Sequence, residues 1–120
     1  MITEIIRDDY IVLSIKDGRF IAQAELSRVD DDIVHRAINT DKLNWVFFNR
    51  LIVPKPLRGK RYSSMLLERL KEVVKERQIN IVNWASAYGD MSQAELEALY
   101  ERYGFVRLFD NIFTLEWENL

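Results

Sequence analysis

The sequence predicts one α+β domain, with a mixed, mostly antiparallel central sheet flanked by helices. Three observations lead to this prediction. The chain begins with an alternating apolar pattern around an Asp-Gly dipeptide. Its middle part has the pattern of a strand, a basic loop, a helix and a second strand. Its last part has the pattern of a capped helix followed by a second hairpin. A chain of 120 residues with 48% apolar residues can form one core and leaves little room for another, so we expect a single domain over residues 1–120.

The first hairpin is predicted by two apolar segments. Tyr10–Ile15 is a short apolar run, and Phe20–Leu26 alternates between apolar and other residues in most positions. Between them lies Asp17-Gly18, a dipeptide that favours the positive φ values of a two-residue hairpin turn. Ile2–Arg7 could add a preceding strand to this hairpin.

The middle of the chain predicts a short helix followed by a βαβ unit. Three aspartates beginning at Asp30 suit the positive end of a helix dipole and predict a helix that reaches Ile38, with Asp30 as its cap. Asn44–Val53 is rich in aromatic and β-branched residues and predicts a buried strand. Tyr62–Arg77 places its apolar residues at helical spacing, and Ile79–Ala87 predicts the parallel strand that follows.

The C-terminal elements carry the clearest local signals. Ser92 and Glu95 have the spacing of a capping box, and Gly104 lies where a helix C-terminus commonly has glycine. Phe105–Phe109 and Ile112–Trp117 then predict a closing antiparallel hairpin.

Composition excludes several classes of protein. The absence of cysteine excludes a disulfide scaffold, a thiol nucleophile and a cysteine-ligated zinc site. His35, the single histidine, is expected on a polar helix surface, and we expect no metal site. Met1–Asp9 lacks the pattern of a signal peptide, and no apolar stretch approaches the roughly 18 residues of a membrane span. We therefore expect a cytoplasmic protein that does not bind membranes.

The basic residues are concentrated in one segment. The net charge is -2, yet Arg50–Arg61 contains five basic residues and no acidic one. A basic segment in an acidic protein indicates a local anionic partner. The segment joins a strand to a long helix, and a helix N-terminus adds free N–H groups and partial positive charge. A phosphate or diphosphate site is therefore one interpretation, and a solvated basic loop before an ordinary helix is the other.

The same region resembles the GNAT acetyltransferases. The resemblance is carried by Val53-Pro54, Arg58-Gly59-Lys60 and Leu66-Leu67, and by the later segment Tyr100–Phe105, which matches the Tyr-x-x-x-Gly-Phe pattern of the family. It extends from about Trp45 to Trp117. It implies an acetyl-coenzyme A (acetyl-CoA) site in which the strand end pairs with the pantetheine arm, the loop and helix start bind the diphosphate, and a residue before the later helix contacts the cofactor. The matching residues are Leu51, Ile52, Val53, Arg58, Gly59, Lys60, Arg61, Tyr62, Ser63, Ser64 and Gln93.

The resemblance also suggests catalytic residues. Tyr100 matches the tyrosine that is often proposed to protonate the departing thiolate, although packing in the core is its plain alternative. The strand that commonly carries a glutamate base offers Asn49 and Arg50 here, which leaves Glu25 as the best candidate base and Asp90 as another. A solvent-facing strand residue and a turn residue are the simpler readings of these two acids.

One departure from the family concerns the loop. Arg61 and Ser63 occupy positions that are usually glycine, or glycine and alanine. A bulky residue at position 61 puts the affinity for the cofactor in doubt.

The resemblance implies an N-acetyltransferase that transfers an acetyl group from acetyl-CoA to an amine of a small molecule or a protein. The alternatives are a GNAT-fold protein that binds acyl-CoA without catalysis and, ranked last, a nucleic-acid module using Arg50–Arg61. Because most of the chain is acidic, we expect no nucleic-acid partner. A homodimer is possible, since dimers are common in this family.

Overall fold

The computed structural model describes residues 1–86 and 91–120, so the predicted strand end at Ala87 and the candidate base Asp90 lie outside the described residues. The described part contains seven strands and three α-helices. The strands are Thr3–Ile6 (β1), Tyr10–Asp17 (β2), Phe20–Arg28 (β3), Trp45–Ile52 (β4), Asn80–Trp84 (β5), Val106–Phe109 (β6) and Ile112–Glu116 (β7). The helices are Asp31–Ile38 (α1), Tyr62–Arg77 (α2) and Gln93–Arg102 (α3), and short 3₁₀ turns occupy Lys55–Leu57 and Trp117–Asn119.

All seven strands form one sheet in the order β1-β2-β3-β4-β5-β7-β6. The pairing of β4 with β5 is parallel, and every other pairing in this sheet is antiparallel. The α2 helix connects the two parallel strands, as the predicted βαβ unit requires. The predicted α+β class and mixed sheet are confirmed.

Local signals in the sequence fix the ends of several elements. The Asp30 side chain accepts a hydrogen bond from the Asp32 N–H at 2.9 Å and caps α1. Ser92 and Glu95 form the predicted capping box of α3, with both reciprocal bonds at 3.1 Å. Gly104, with φ of 94°, follows Tyr103, the C-cap residue of α3. These caps satisfy N–H and C=O groups that a helix end otherwise leaves unpaired.

The first hairpin turns one residue later than the dipeptide suggests. Asp17 still pairs with Phe20, so the two turn residues are Gly18 and Arg19. Only Gly18 of these two has a positive φ, at 63°. A positive φ at the first turn position alone is the pattern of a type II′ turn, for which glycine is preferred there.

The main core lies between one face of the sheet and the helices α2 and α3. The predicted apolar face of α2 is fully buried in it, and its residues are Leu66, Leu67, Leu70, Val73 and Val74. On the sheet side, Ala24 and Leu26 of β3 are also fully buried. Burial of the aliphatic side chains of this core is the main favourable term in the stability of the domain.

The second face of the sheet is covered only at one end. There α1 places Val34 against Trp45, Val82 and Ile112. Farther along the same face, Glu25 of β3 is partly exposed between two buried neighbours. Within residues 1–86 and 91–120, no helix has the combined length and apolar character that a membrane span needs.

Candidate functional site

The sheet opens between β4 and β5. The two strands pair over three residues each, from Trp45 with Asn80 to Phe47 with Val82. Beyond this point β4 continues to Ile52 beside β3, and β5 continues to Trp84 beside β7. A cleft therefore begins at the centre of the sheet, where backbone groups of β4 face no strand among the described residues.

A β-bulge explains where the opening begins. Glu25 of β3 pairs with Arg50 of β4, and the next residue, Leu26, pairs with Phe48, so Asn49 is the extra residue in β4. A bulge bends its strand and increases the local twist. This one follows the last pair with β5 by two residues and turns β4 away from that strand. The Asn49 side chain exchanges hydrogen bonds with the Ser27 hydroxyl at 3.0 and 3.1 Å, which holds the bulge in place.

The start of α2 lies at the outer end of this opening and has no side-chain cap. Asp30 caps α1 and Ser92 caps α3, whereas the residue at the cap position of α2 is Arg61, whose side chain makes no capping bond. The first N–H groups of a 16-residue helix thus lack a side-chain acceptor among the described residues. Such a helix start favours an anion because of both its donors and its partial charge.

A pocket of about 300 Å3 lies between the end of β4, the start of α2 and the first turns of α3. Of the twelve residues that line it, six are apolar and six are polar, charged or glycine. The apolar residues are Leu51, Val53, Leu57, Met91, Leu96 and Leu99. The others are Arg58, Gly59, Arg61, Tyr62, Ser63 and Glu95.

Arg61 has a backbone conformation that is unfavourable for its residue type. Its φ of 64° and ψ of 22° lie in the left-handed region. Three of the other four non-glycine residues with positive φ are asparagine or aspartate, which tolerate that region better. In the GNAT resemblance, position 61 is usually glycine, a residue that adopts the left-handed conformation readily. Here the backbone at this position is left-handed, and the residue is an arginine.

Asp17 connects the first hairpin to the basic loop. Its carboxylate accepts hydrogen bonds from Lys60 Nζ and from the Tyr62 hydroxyl, each at 2.8 Å. The bond from Lys60 is the main cause that lowers the pKa of Asp17, and the Asp17 carboxylate raises the pKa values of Lys60 and Tyr62. Lys60 and Tyr62 are thus held to the hairpin, and Arg58 and Arg61 are the cations that line the pocket.

Two further contacts order the pocket wall. Arg58 Nε donates to the Val53 carbonyl oxygen at 3.2 Å, which ties the loop to the end of β4. The carboxylate of Glu95 accepts from the Ser92 N–H, and this bond is the main cause that lowers its pKa. Glu95 is therefore an anion that is already committed to the start of α3.

Glu25 lies on the sheet face opposite the main core. Its neighbours Ala24 and Leu26 are buried beneath α2, and side chains alternate between the two faces of a strand. The Glu25 carboxylate accepts a hydrogen bond from Arg50 Nε at 2.5 Å. The candidate base is thus paired with a cation of the basic segment.

Tyr100 is buried at the inner end of the site. It is 5% exposed, and its ring lies 5.9 Å from Phe48, 5.2 Å from Phe105 and 6.2 Å from Phe113, measured between ring centroids. Its neighbour Leu99 lines the pocket. Because Phe48 directly follows the last β4 residue paired with β5, Tyr100 lies beside the point where the two strands separate.

Comparison with known proteins identifies the family. The profile of the Acetyltransferase (GNAT) family matches residues 3–105. The chain belongs to the GNAT acetyltransferase family. No curated protein sequence matches the chain.

Two solved structures share this GNAT fold. One is the anti-CRISPR protein AcrVA5, with 13% identity, a TM-score of 0.53, and coverage of 96% of this chain and 98% of that protein. The other is a Tyr-to-Phe mutant of KacT, with 18% identity, a TM-score of 0.61, and coverage of 92% of this chain and 73% of that one. At these identities the similarity concerns the fold alone.

The structure brings most of the sequence-predicted cofactor residues together. Seven of the eleven line the pocket described above, and they are Leu51, Val53, Arg58, Gly59, Arg61, Tyr62 and Ser63. Ile52, Lys60 and Ser64 lie beside them in the chain without lining it.

Gln93 also lies outside the pocket wall, and its amide donates to the Ala85 carbonyl oxygen and to Glu97, each at 2.8 Å.

Sequence reasoning did not assign the α3 wall to the site. That wall consists of Met91, Glu95, Leu96 and Leu99. The capping box and the apolar helix face identify Glu95, Leu96 and Leu99 as helical, but only the packing of α3 against β4 places them at the pocket. Asp17 was also missed as a site residue, because its partners are 43 and 45 positions away.

We expect Arg61→Gly to be more stable than Arg61→Ala by about 1 kcal/mol. Both variants remove the guanidinium group, but only glycine adopts the left-handed conformation without steric cost. Urea unfolding of the two variants measures the difference. Equal stability would show that the loop leaves the left-handed conformation once the arginine is gone.

We expect Asp17→Asn to lower the melting temperature near neutral pH and to have little effect in acid. A carboxyl with a lowered folded-state pKa stabilises the protein above its unfolded pKa and loses that contribution as the pH falls through the folded value. Lys60, with a raised pKa, loses its contribution only at high pH. The difference between wild type and variant should therefore be largest from about pH 5 to 9 and should shrink as the pH falls below the usual aspartate pKa of about 4 and through the lower folded-state value.

The measurement is a series of thermal melts across this pH range. Asp8→Asn is the matched control, since Asp8 is a fully exposed carboxylate outside the loop contact, and an exposed ion pair such as its 3.8 Å pair with Arg77 contributes little to stability. A difference that persists unchanged at pH 3 would contradict the ionic contact.

Proposed function

We propose that this protein is an N-acetyltransferase that uses acetyl-CoA as the acyl donor and an amine as the acceptor. One observation carries the proposal. The uncapped start of α2 opens directly onto a pocket with apolar walls, and one wall of that pocket comes from the part of β4 that lies beyond its last pair with β5. Such a site suits an acyl donor that is long and has two different ends. The diphosphate of the donor would bind at the helix start, and its thioester end would extend along the apolar wall.

The residues present fit coenzyme A in three respects. Arg58, Arg61 and the N–H groups at the start of α2 offer charge-assisted hydrogen bonds to a diphosphate. Leu51, Leu96 and Leu99 offer an apolar wall for the pantetheine arm. Beyond Phe47, β4 is paired with no described strand on its β5 side, and backbone groups there suit the two amides of that arm, as an added strand would use them.

The chemistry needs few groups from the protein. When bound, the donor supplies an activated thioester carbonyl. An N–H group of β4 beyond its last pair with β5 is proposed to polarise that carbonyl, and the Tyr100 hydroxyl to donate a proton to the departing thiolate. Most of the rate is expected from positioning in the groove.

The acceptor amine must lose a proton, and Glu25 is proposed to take it, directly or through water. This role requires the carboxylate to leave Arg50, its present partner at 2.5 Å. The acceptor class, a small-molecule or protein amine, stays a prediction from the sequence, as do a homodimer and a cytoplasmic location.

The pairing of Glu25 with Arg50 supports a second candidate, a GNAT-fold protein that binds acyl-CoA without transferring the acyl group. In such a protein the pocket keeps its donor-binding residues and lacks a working base. The nucleic-acid alternative is less well supported. The basic segment does not form one continuous patch, because Arg50 and Lys60 are paired with acids and Arg58 and Arg61 face the pocket.

We expect acetyl-CoA to raise the melting temperature by several degrees at concentrations far above its dissociation constant.

Arg58→Ala should weaken binding of acetyl-CoA about tenfold or more, because it removes a charge-assisted hydrogen bond to phosphate. Lys55→Ala is the matched control, since Lys55 is an exposed cation of the same loop that does not line the pocket. Isothermal titration of the three proteins measures the affinities. Equal losses in both variants would mean that only net charge matters and would contradict the assigned site.

We expect Tyr100→Phe to lower turnover about 100-fold while acetyl-CoA affinity and the melting temperature change little. The variant keeps the aromatic ring among Phe48, Phe105 and Phe113 and removes only the hydroxyl proposed as the acid. Tyr103→Phe, at the end of the same helix, is the control. The assay is release of free thiol from acetyl-CoA across a panel of amines. A wild type that binds acetyl-CoA but releases no thiol with any amine would favour the non-catalytic candidate.

A further inference from the structure

Asn83 has an unpaired amide in the interior of the protein. It lies on β5 and is 3% exposed, and its Nδ2 group has no hydrogen-bond partner among the described residues. Removing an amide N–H from water without giving it an acceptor destabilises the folded state. Such groups are rare in native proteins, and one that persists needs a cause.

Asn80 provides a comparison on the same strand. It is 2% exposed, its Nδ2 donates to the Leu43 carbonyl oxygen at 2.8 Å, and its Oδ1 accepts from the Trp117 N–H at 3.3 Å. The amide of Asn80 therefore uses both its N–H donor and its oxygen acceptor in hydrogen bonds, whereas the Nδ2 donor of Asn83 has no partner among the described residues. The unpaired state of Asn83 is specific to its position.

That position is the inner end of the β4–β5 opening. Asn83 directly follows Val82, the last β5 residue that pairs with β4. Its side chain points to the same face as those of Ile81 and Ala85, which belong to the core beneath α2 and α3. On the other flank Asn83 pairs with Phe113 of β7.

Tyr100 of α3 packs against the same part of the sheet. Its ring contacts Phe113, the strand partner of Asn83, and Phe48, the first β4 residue after the last pair. Asn83 therefore lies on the part of the sheet that packs against the proposed thiolate acid. Leu99, the residue before Tyr100, lines the pocket.

We propose that the Asn83 Nδ2 group donates a hydrogen bond to the carbonyl oxygen of the acyl group, at the inner end of the opening. This inference rests on the proposed function, because it needs an acyl donor in the groove. Asn83 is then a catalytic residue, and its unpaired state in the free protein is the cost of a donor held ready for the substrate.

The donor acts at one stage of the transfer. The amine nitrogen uses its lone pair to form a bond to the carbonyl carbon, and the π electrons of the carbonyl move onto its oxygen. The Asn83 N–H stabilises the negative charge that develops there. The electron pair then returns as the C–S bond breaks, the sulfur leaves with the bonding electrons and accepts a proton, and the nitrogen gives its extra proton to the base.

The test uses Asn83→Leu, a variant of similar shape without polar atoms. We expect the melting temperature of the free protein to rise by about 3 °C or more, because an unpaired donor is replaced by an apolar group. We expect affinity for CoA, which lacks the acyl carbonyl, to stay within about twofold. The preference for acetyl-CoA over CoA should fall roughly 3- to 10-fold, and turnover about 100-fold.

Two further variants keep the test decisive. Asn83→Ala also lacks the donor but cannot overfill the site, so it should show the same loss of acetyl preference even if leucine does not fit. Asn80→Leu should lower the melting temperature, because it removes two existing hydrogen bonds. Calorimetric titration with acetyl-CoA and with CoA, without an amine, gives the preference in each protein.

The outcomes separate the two proposals. If wild type binds both ligands and the Asn83 variants keep its acetyl preference, the inference fails and the proposed function stands. A drop in melting temperature of free Asn83→Leu as large as that of Asn80→Leu would show that the amide has a structural partner, and this also overturns the inference. If wild type binds neither ligand, the proposed function fails and the inference falls with it.

Discussion

The separation of β4 from β5 is the constraint on which the rest of the site depends. Had the two strands stayed paired, every backbone group of β4 would be satisfied within the sheet and no groove would reach its centre. The extra residue at Asn49 prevents this, since a bulge there twists β4 away just after its third pair with β5. The groove is therefore a property of the backbone, and the side chains of α2 and α3 only shape its walls.

The charges of the basic segment Arg50–Arg61 are divided between structural contacts and the wall of the pocket. Lys60 is held by Asp17 and Arg50 by Glu25, so each hairpin strand supplies an acid that fixes one cation. Arg58 and Arg61 remain at the pocket, at the start of the one helix of the three that has no side-chain cap. Fixing two cations orders the loop, and it lowers the entropy lost when an anion binds to the other two.

Most of the fold could be predicted from the sequence, because its signals are local. Asp30, Ser92, Glu95 and Gly104 act within one helical turn, and the apolar face of α2 depends only on helical spacing. The site was less predictable because its contacts are distant in the chain. The partner of Lys60 is 43 positions away, and the length of the β4–β5 pairing depends on a bulge set by β3. The resemblance predicted a donor loop, and residues of that loop line the pocket, yet it could not show that Glu25 faces away from the main core.

Two unfavourable features of the folded chain lie at the two ends of the β4 stretch that follows its pairing with β5. Arg61 has a left-handed backbone after the outer end, and Asn83 keeps an unpaired donor at the inner end. In contrast, the caps of α1 and α3 and the buried face of α2 show local preference and tertiary structure in agreement. Strain and unsatisfied polar groups persist where binding a ligand offsets them. Their separation along β4, from the loop after Val53 to the level of Phe48, matches a ligand that is anionic at one end and carries a carbonyl at the other.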